Sequence, residues 1–290
     1  TNPVELLLVA EGTMCPAISS LPVKKLVVLD EEKGTVPEEL PAVLKYQSCE
    51  KIMQEVTALY GEEAREEGRG AAAKRTMHVL GVYSPLGRVG KTSLALALGQ
   101  FLARRYSVLF LNLEPYSGFE QLFSCGFERN LGDLFYYIRQ KKGQPAVQLA
   151  AMVREAGGLS YVPPVITPED VEQITGEEWS ALLEELRLYS GYQVVILDFG
   201  GGITQASVLF DACSKIYMPV RQDRVSEAKL AQYEAWLGST GREDVLKKTE
   251  KLILPTVAPQ GEMPWPECLT VGRFGDHVRK LVQDGGIFRT

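Results

Sequence analysis

The chain reads as an α/β protein: a mostly parallel sheet with helices on both faces, preceded by a smaller α/β piece. Three observations predict this. From Thr76 onward, short aliphatic runs alternate with longer segments of helical periodicity, the pattern of parallel strands joined by crossover helices. One strand-to-helix joint in that region carries Gly90-Lys91-Thr92. Another aliphatic run, Val194-Val195-Ile196-Leu197, ends in Asp198 and is followed by Phe199 and three glycines, Gly200 to Gly202.

Taken in order, the first elements are three short Val- and Leu-rich runs, Glu5 to Ala10, Lys25 to Leu29 and Ala42 to Tyr46. Turn formers or charges follow each, so each reads as a strand. Ile52, Met53, Val56, Leu59 and Tyr60 then recur every three or four residues and predict a helix from Cys49 to about Glu63. The next stretch is charged, then rich in Gly and Ala, without apolar period. This divides the chain into a first unit at 1–66, a linker at 67–75 and a second unit at 76–290. In the second unit, strands are expected at His78–Tyr83, Val108–Leu111, Ser160–Val162, Val194–Leu197, Lys215–Met218 and Lys251–Leu254. Helices are expected at Lys91–Arg104, Leu131–Lys142, Glu177–Tyr189, Val225–Leu237 and Asp276–Gln283.

Composition narrows the function classes. The 290 residues are 45% hydrophobic and 23% charged, enough for a packed core. The net charge of −6 argues against general nucleic-acid binding through a basic surface. No apolar run approaches the roughly 20 residues that span a bilayer, and no signal peptide is visible at the start. Cys15, Cys49, Cys125, Cys213 and Cys268 are scattered without a CxxC pair or a neighbouring histidine, as reduced cytoplasmic thiols are. His78 and His277 fall in a predicted strand and a predicted helix and read as structural.

The joint at Gly90 has the chemistry of a phosphate loop. Glycine lets the backbone aim its N–H groups inward without a Cβ clash. Those groups and the positive helix end hold anionic oxygens. Lys91 reaches the β- and γ-phosphates of a nucleotide, the Thr92 hydroxyl ligates Mg2+, and Ser93 faces an inner phosphate. Gly87, Arg88, Val89 and Gly90 supply the loop backbone. The common Gly-x4-Gly-Lys-Ser/Thr spacing needs glycine at position 85, where this chain has Pro85.

Such a loop requires a carboxylate at the tip of another strand to organise Mg2+. Asp198 stands there, at the edge where open α/β sheets bind ligands. A second polar pair, Asn112 and Glu114, closes the strand after the loop helix in Asn112-Leu113-Glu114-Pro115.

These motifs together resemble the MinD/ParA family of P-loop ATPases. Leu86 to Ser93 is similar to that family's deviant loop, Lys-Gly-Gly-x-Gly-Lys-Thr-Ser/Thr, with two departures: the signature lysine is Leu86 and the second glycine is Arg88. Asn112 to Pro115 resembles the family's Asp-x-Asp-Pro, with Asn112 for the first acid and Glu114 for the second. The resemblance spans about residues 76–284. It implies ATP and Mg2+ as ligands, Lys91, Asp198 and Glu114 as catalytic groups, Thr92 and Asp198 toward the metal, and a homodimer that sandwiches ATP. In relatives the signature lysine crosses to the partner's nucleotide. Leu86 cannot do so, which leaves Arg88 as a substitute or as a solvent-facing side chain.

Within the family the chain is similar to the TadZ/CpaE branch, which joins a receiver-like domain to a degenerate ATPase and is linked to placing Flp pilus machinery. The first 66 residues look like the second half of a receiver. Lys45 stands where a receiver's lysine does, but the nearest acid to the phosphoacceptor place is Glu11, and the acidic pair of a receiver's first strand has no counterpart. The piece reads as a non-phosphorylatable receiver remnant lacking its first half and used for protein contact; a small α/β cap unrelated to receivers is the alternative.

Two function classes follow. One is an ATP-dependent dimerising switch or localisation protein with slow or absent hydrolysis, cytoplasmic and recruited to the cell pole or membrane periphery by partners of a pilus or secretion system. The other is a non-catalytic nucleotide-binding scaffold. Bacterial tyrosine kinases share a similar loop but end in a tyrosine cluster, which the end of this chain lacks. An iron-protein-like ATPase lacks support from any cluster-binding cysteine segment. The face made by Val278, Leu281 and Val282 is expected to dock on the core, and peripheral membrane association is left open.

Overall fold

The computed structural model describes residues 4–15, 18, 21–31, 36–37, 40–47, 52, 55–56, 59, 76–140, 145–201, 206–257 and 263–284. The expected linker and most of the expected Cys49–Glu63 helix lie outside these residues; Ile52, Glu55, Val56 and Leu59 are helical.

Strands β1 (Val4–Ala10), β2 (Val23–Asp30) and β3 (Ala42–Leu44) form a parallel sheet in the order β1-β2-β3. Its small core joins Val27 and Val43 to Val56 of the helical segment. Lys25 is buried, and its Nζ donates to the Leu59 carbonyl at 2.7 Å. A buried ammonium needs such an acceptor.

The second sheet has seven strands: β4 (His78–Val82), β5 (Val108–Asn112), β6 (Arg154–Ala156), β7 (Leu159–Val162), β8 (Val194–Asp198), β9 (Lys215–Pro219) and β10 (Thr249–Leu252). Their order is β10-β9-β4-β8-β5-β7-β6, and among the described residues only the β6–β7 pair is antiparallel. Every residue of β5 and β8 is buried, which explains why their sequences read as unbroken aliphatic runs rather than alternating ones. The two-residue period still decides which face each side chain joins. Leu109, Leu111, Val195 and Leu197 pack into one core, and Val108, Phe110, Val194 and Ile196 into the other.

The first core is covered by helices Leu131–Gln140, Gly176–Glu185, Ala206–Ala212 and Arg224–Ser239. Trp179 is fully buried there with its ring edge-on to Phe135, centroids 4.7 Å apart. The second core is covered by Lys91–Ala103 and Gly272–Asp284. In the latter helix Val278 is buried and Leu281 and Val282 pack against the same core, as the apolar stripe predicts. Among the described residues, no helix is long and apolar enough to cross a membrane.

The structure adds elements that the sequence reading lacks: helices Phe119–Leu122, Pro145–Met152, Pro168–Glu172, Ala206–Ala212 and Glu243–Lys247, and edge strand β6. None exceeds eight residues, too few for a periodicity to declare itself. Strand β10 lies two residues upstream of the expected Lys251–Leu254. Its ladder stops where Leu252 meets Pro219, the last residue of β9.

Gly275 shows how closely the last helix is docked. A Cβ there would lie 2.2 Å from the Thr270 carbonyl carbon and 2.4 Å from its oxygen, and backbone cannot yield as a side chain does. Gly275→Ala is therefore expected to cost about 1–3 kcal/mol, read as a lower thermal midpoint. An unchanged midpoint would mean that this helix is not held against the 267–270 turn.

Candidate functional site

The sheet register brings three loops to one edge. Asp198 pairs across the ladder with Val82 on one side and Asn112 on the other. The carboxyl ends of β4, β8 and β5 therefore stop at one level. Two further bonds continue the ladders past this level, Phe199 N–H to the Val82 carbonyl at 3.0 Å and Leu113 N–H to the Asp198 carbonyl at 2.9 Å.

From β4 the chain enters the loop that ends at Gly90. Ser84 is buried, and its Oγ accepts from the Leu86 N–H at 3.2 Å. Leu86 and Val89 are both buried in the first core, whereas the helix that follows packs in the second. The loop therefore bridges the two faces across the end of β4, held by two apolar side chains. Burial gives a physical reason for an apolar residue at 86: a lysine directed into this core would leave an unpaired charge. Gly87 and Arg88, by contrast, are exposed at the tip.

Arg88 has φ 55° and Gly90 φ 86°. Arg88 thus keeps a left-handed backbone at a position where the sequence resemblance has glycine, at a cost of roughly 1–2 kcal/mol. Gly90 caps the Lys91–Ala103 helix with no side-chain acceptor, and its carbonyl takes the Leu94 N–H at 2.9 Å. The N–H groups of the first turn, which carries Lys91, Thr92 and Ser93, are left for an external anion.

Asp198 is fully buried. Its Oδ2 accepts from Asn112 Nδ2 at 2.9 Å, and its Oδ1 has no hydrogen-bond partner among the described residues. Asn112 Oδ1 in turn accepts from the Glu114 N–H at 2.9 Å. The amide at 112 is thus used at both ends, and an aspartate there would set two carboxylates against each other. Lys91 Nζ lies 3.4 Å from Glu114 Oε1, with the lysine nearly covered. Burial pushes the Asp198 carboxyl up to about 8; Glu114 pushes the same way, while the Thr92 hydroxyl, Lys91 and Asn112 oppose it. The two acid-bearing loops touch through Gly200, where a Cβ would stand 2.7 Å from the Leu113 carbonyl oxygen and 2.9 Å from Glu114 Cα.

Lys91, Thr92, Asn112, Glu114 and Asp198 therefore form one constellation beside the loop that ends at Gly90. Ser93 lies partly buried on the same helical turn. Gly87 and Arg88 stand apart from the acids, at the loop's exposed tip. Among the described residues, no three His, Cys, Asp or Glu side chains converge as a metal cage. A hard cation beside Asp198 and Thr92 would take its remaining ligands from phosphate and water, as Mg2+ does. The orphaned buried oxygen of Asp198 fits that use.

Motif reading misses Arg221. It follows β9, beside β4 in the sheet, and its Nη2 donates to the Arg88 carbonyl at 2.5 Å. No residue pattern marks this contact; only the strand order brings it to the loop.

The fold is that of ParA-type P-loop ATPases. A ParA family ATPase from Chlorobium tepidum TLS matches with a TM-score of 0.56 and 16% identity, over 72% of this chain and 98% of that one. The cobyrinic acid a,c-diamide synthase from Mycobacterium smegmatis, solved with a bound ATP analogue and magnesium, matches with a TM-score of 0.52 and 16% identity, over 72% and 93% of the two chains. At these identities the likeness is one of fold. No family model and no curated protein matches the sequence.

The raised Asp198 pKa has a consequence for stability. Between its ordinary value of 3.8 and about 8, the folded chain holds a proton that the unfolded chain has released. Its stabilising contribution is complete below the lower value and lost as pH rises through the upper one. Urea unfolding at about pH 5 and about pH 8 should show the wild type losing stability on that rise and Asp198→Asn losing less. Parallel behaviour of the two proteins would mean that Asp198 is ionised throughout.

Proposed function

We propose that this chain binds ATP with Mg2+ at the crevice above β4, β8 and β5 and acts as a nucleotide-dependent dimerising switch or localisation protein of the MinD/ParA type. The observation that carries the reading is Asp198, buried with one oxygen unpartnered among the described residues, beside Lys91, Thr92 and a helix start without a side-chain cap. Lys91 and the first-turn N–H groups receive the phosphates. Thr92 and Asp198 hold Mg2+, which when bound neutralises phosphate charge and fixes its geometry. Without nucleotide, Lys91 is paired with Glu114, so a phosphate oxygen competes with that carboxylate. Once released, Glu114 is placed to orient water, whereas Asn112 is neutral and committed to Asp198. Losing one of two carboxylates supports slow turnover. The same substitution, together with the buried Leu86, also supports the second reading, a non-catalytic nucleotide-binding scaffold.

In this reading residues 76–290 are the nucleotide-binding domain, 67–75 a linker and 1–66 a receiver-like contact module. Supporting the last assignment, β1, β2 and β3 are parallel and in sequential order, and Lys45 directly follows β3. Its Nζ meets Glu31 Oε1 at 2.6 Å, while the Glu31 N–H donates to Glu11 Oε2 at 3.3 Å. The lysine is thus engaged by an acid rather than poised over a phosphoaspartate. The sequence resemblance extends this reading to a TadZ/CpaE-like role in placing pilus or secretion machinery from the cytoplasm, as a homodimer in which the exposed Arg88 faces the partner's nucleotide.

Two variants test the reading. Lys91→Ala should stay folded and lose calorimetrically detectable binding of ATP-Mg2+; unchanged affinity in the folded variant would sink the site assignment. Phosphate release by the wild type should be slow, and Glu114→Gln should lower it by at least about ten-fold. Equal rates would remove Glu114 from the chemistry, and no release from either protein would favour the scaffold.

A further inference from the structure

Arg221 and Arg88 meet at a peptide that the phosphate cradle depends on. Arg88 holds φ 55°, a conformation glycine enters freely and other residues avoid. Its side chain is exposed, so its own packing does not hold it there. What does meet this residue is Arg221 Nη2, donating to its carbonyl at 2.5 Å from the loop after β9. The carbonyl and N–H of one trans peptide point in opposite directions. Fixing the Arg88 carbonyl therefore also fixes the N–H of Val89, one of the loop N–H groups from which such cradles are made.

We propose that Arg221 is a positioning residue for the phosphate cradle: it holds the 88–89 peptide in the binding orientation that a glycine at 88 would adopt unaided. The assignment rests on the nucleotide reading above and deepens it by naming the group that preserves the loop's shape despite Arg88. Arg221 also precedes Asp223, which caps the Arg224–Ser239 helix by accepting from the Val225 and Ser226 N–H groups. Asp223 also feels the Arg221 charge, yet its hydrogen bonds go to its own helix and the Arg221 Nη2 donates to the loop.

The test is a double-mutant cycle read by calorimetric titration of ATP-Mg2+ into wild type, Arg221→Ala, Arg88→Gly and the double variant, each shown to be folded by circular dichroism. Arg221→Ala is expected to weaken binding by roughly ten-fold in the wild-type loop. In the Arg88→Gly background the same change is expected to cost less than about two-fold, because glycine restores the backbone preference. A merely structural residue would shift melting without this dependence on position 88. Equal affinity of Arg221→Ala and wild type would overturn the inference. An equal loss in both backgrounds would overturn it too, since Arg221 would then act on the ligand rather than through Arg88. Failure of the wild type itself to bind ATP-Mg2+ is a separate result, which overturns the nucleotide reading and the inference with it.

Discussion

A carboxyl group sealed at the end of the central strand constrains everything around it. Asp198 is fully buried, and an isolated charge in such a place is costly enough that the group keeps its proton or waits for a cation. The surroundings answer that constraint. Asn112 offers an amide hydrogen to one oxygen rather than a second negative charge. Lys91 and Thr92 favour the ionised form from the helix start, and Glu114 opposes it while pairing with Lys91. The result is a site balanced near neutrality without ligand, which phosphate and a divalent cation together would rebalance.

The fold delivers these groups through register rather than through local sequence. β8 lies between β4 and β5, so Asp198 is level with the start of the phosphate loop and with Asn112. Leu86 and Val89 fix the loop to one core while its helix packs on the other. Gly200 allows the Asp198 and Glu114 loops to approach to contact distance. The departures from the MinD/ParA pattern are therefore physically coherent: leucine at 86 is a core residue, asparagine at 112 a double hydrogen-bonding bridge, and arginine at 88 a left-handed residue whose carbonyl accepts from Arg221.

Much of this was legible in the sequence because the signals have long periods or strict chemistry. Val194 to Leu197 reads as a buried strand from four aliphatics in a row. Lys91–Arg104 reads as a helix from its Gly-Lys-Thr start and apolar length, and the structure has it at Lys91–Ala103. Shorter helices such as Phe119–Leu122 and Glu243–Lys247 pass below a periodicity argument, since four or five residues make little more than one turn. Leu86 reads as a lost lysine, and only the packing shows it to be a core position. The φ of Arg88 and the reach of Arg221 are non-local: one is set by the loop's closure, the other by β9 lying beside β4, and neither leaves a mark in residue order.

On the proposed reading, the backbone from Ser84 to Ser93, with Asp198 beneath it, receives the phosphates of ATP with Mg2+. Amide hydrogen exchange followed residue by residue, with and without ATP-Mg2+, tests this most directly. Nucleotide should slow exchange in the loop and the first turn of the Lys91–Ala103 helix, together with the Asp198–Gly201 turn, with much smaller changes on β6 and β10. Unchanged exchange in the loop at saturating nucleotide, or protection confined to another part of the chain, would contradict it.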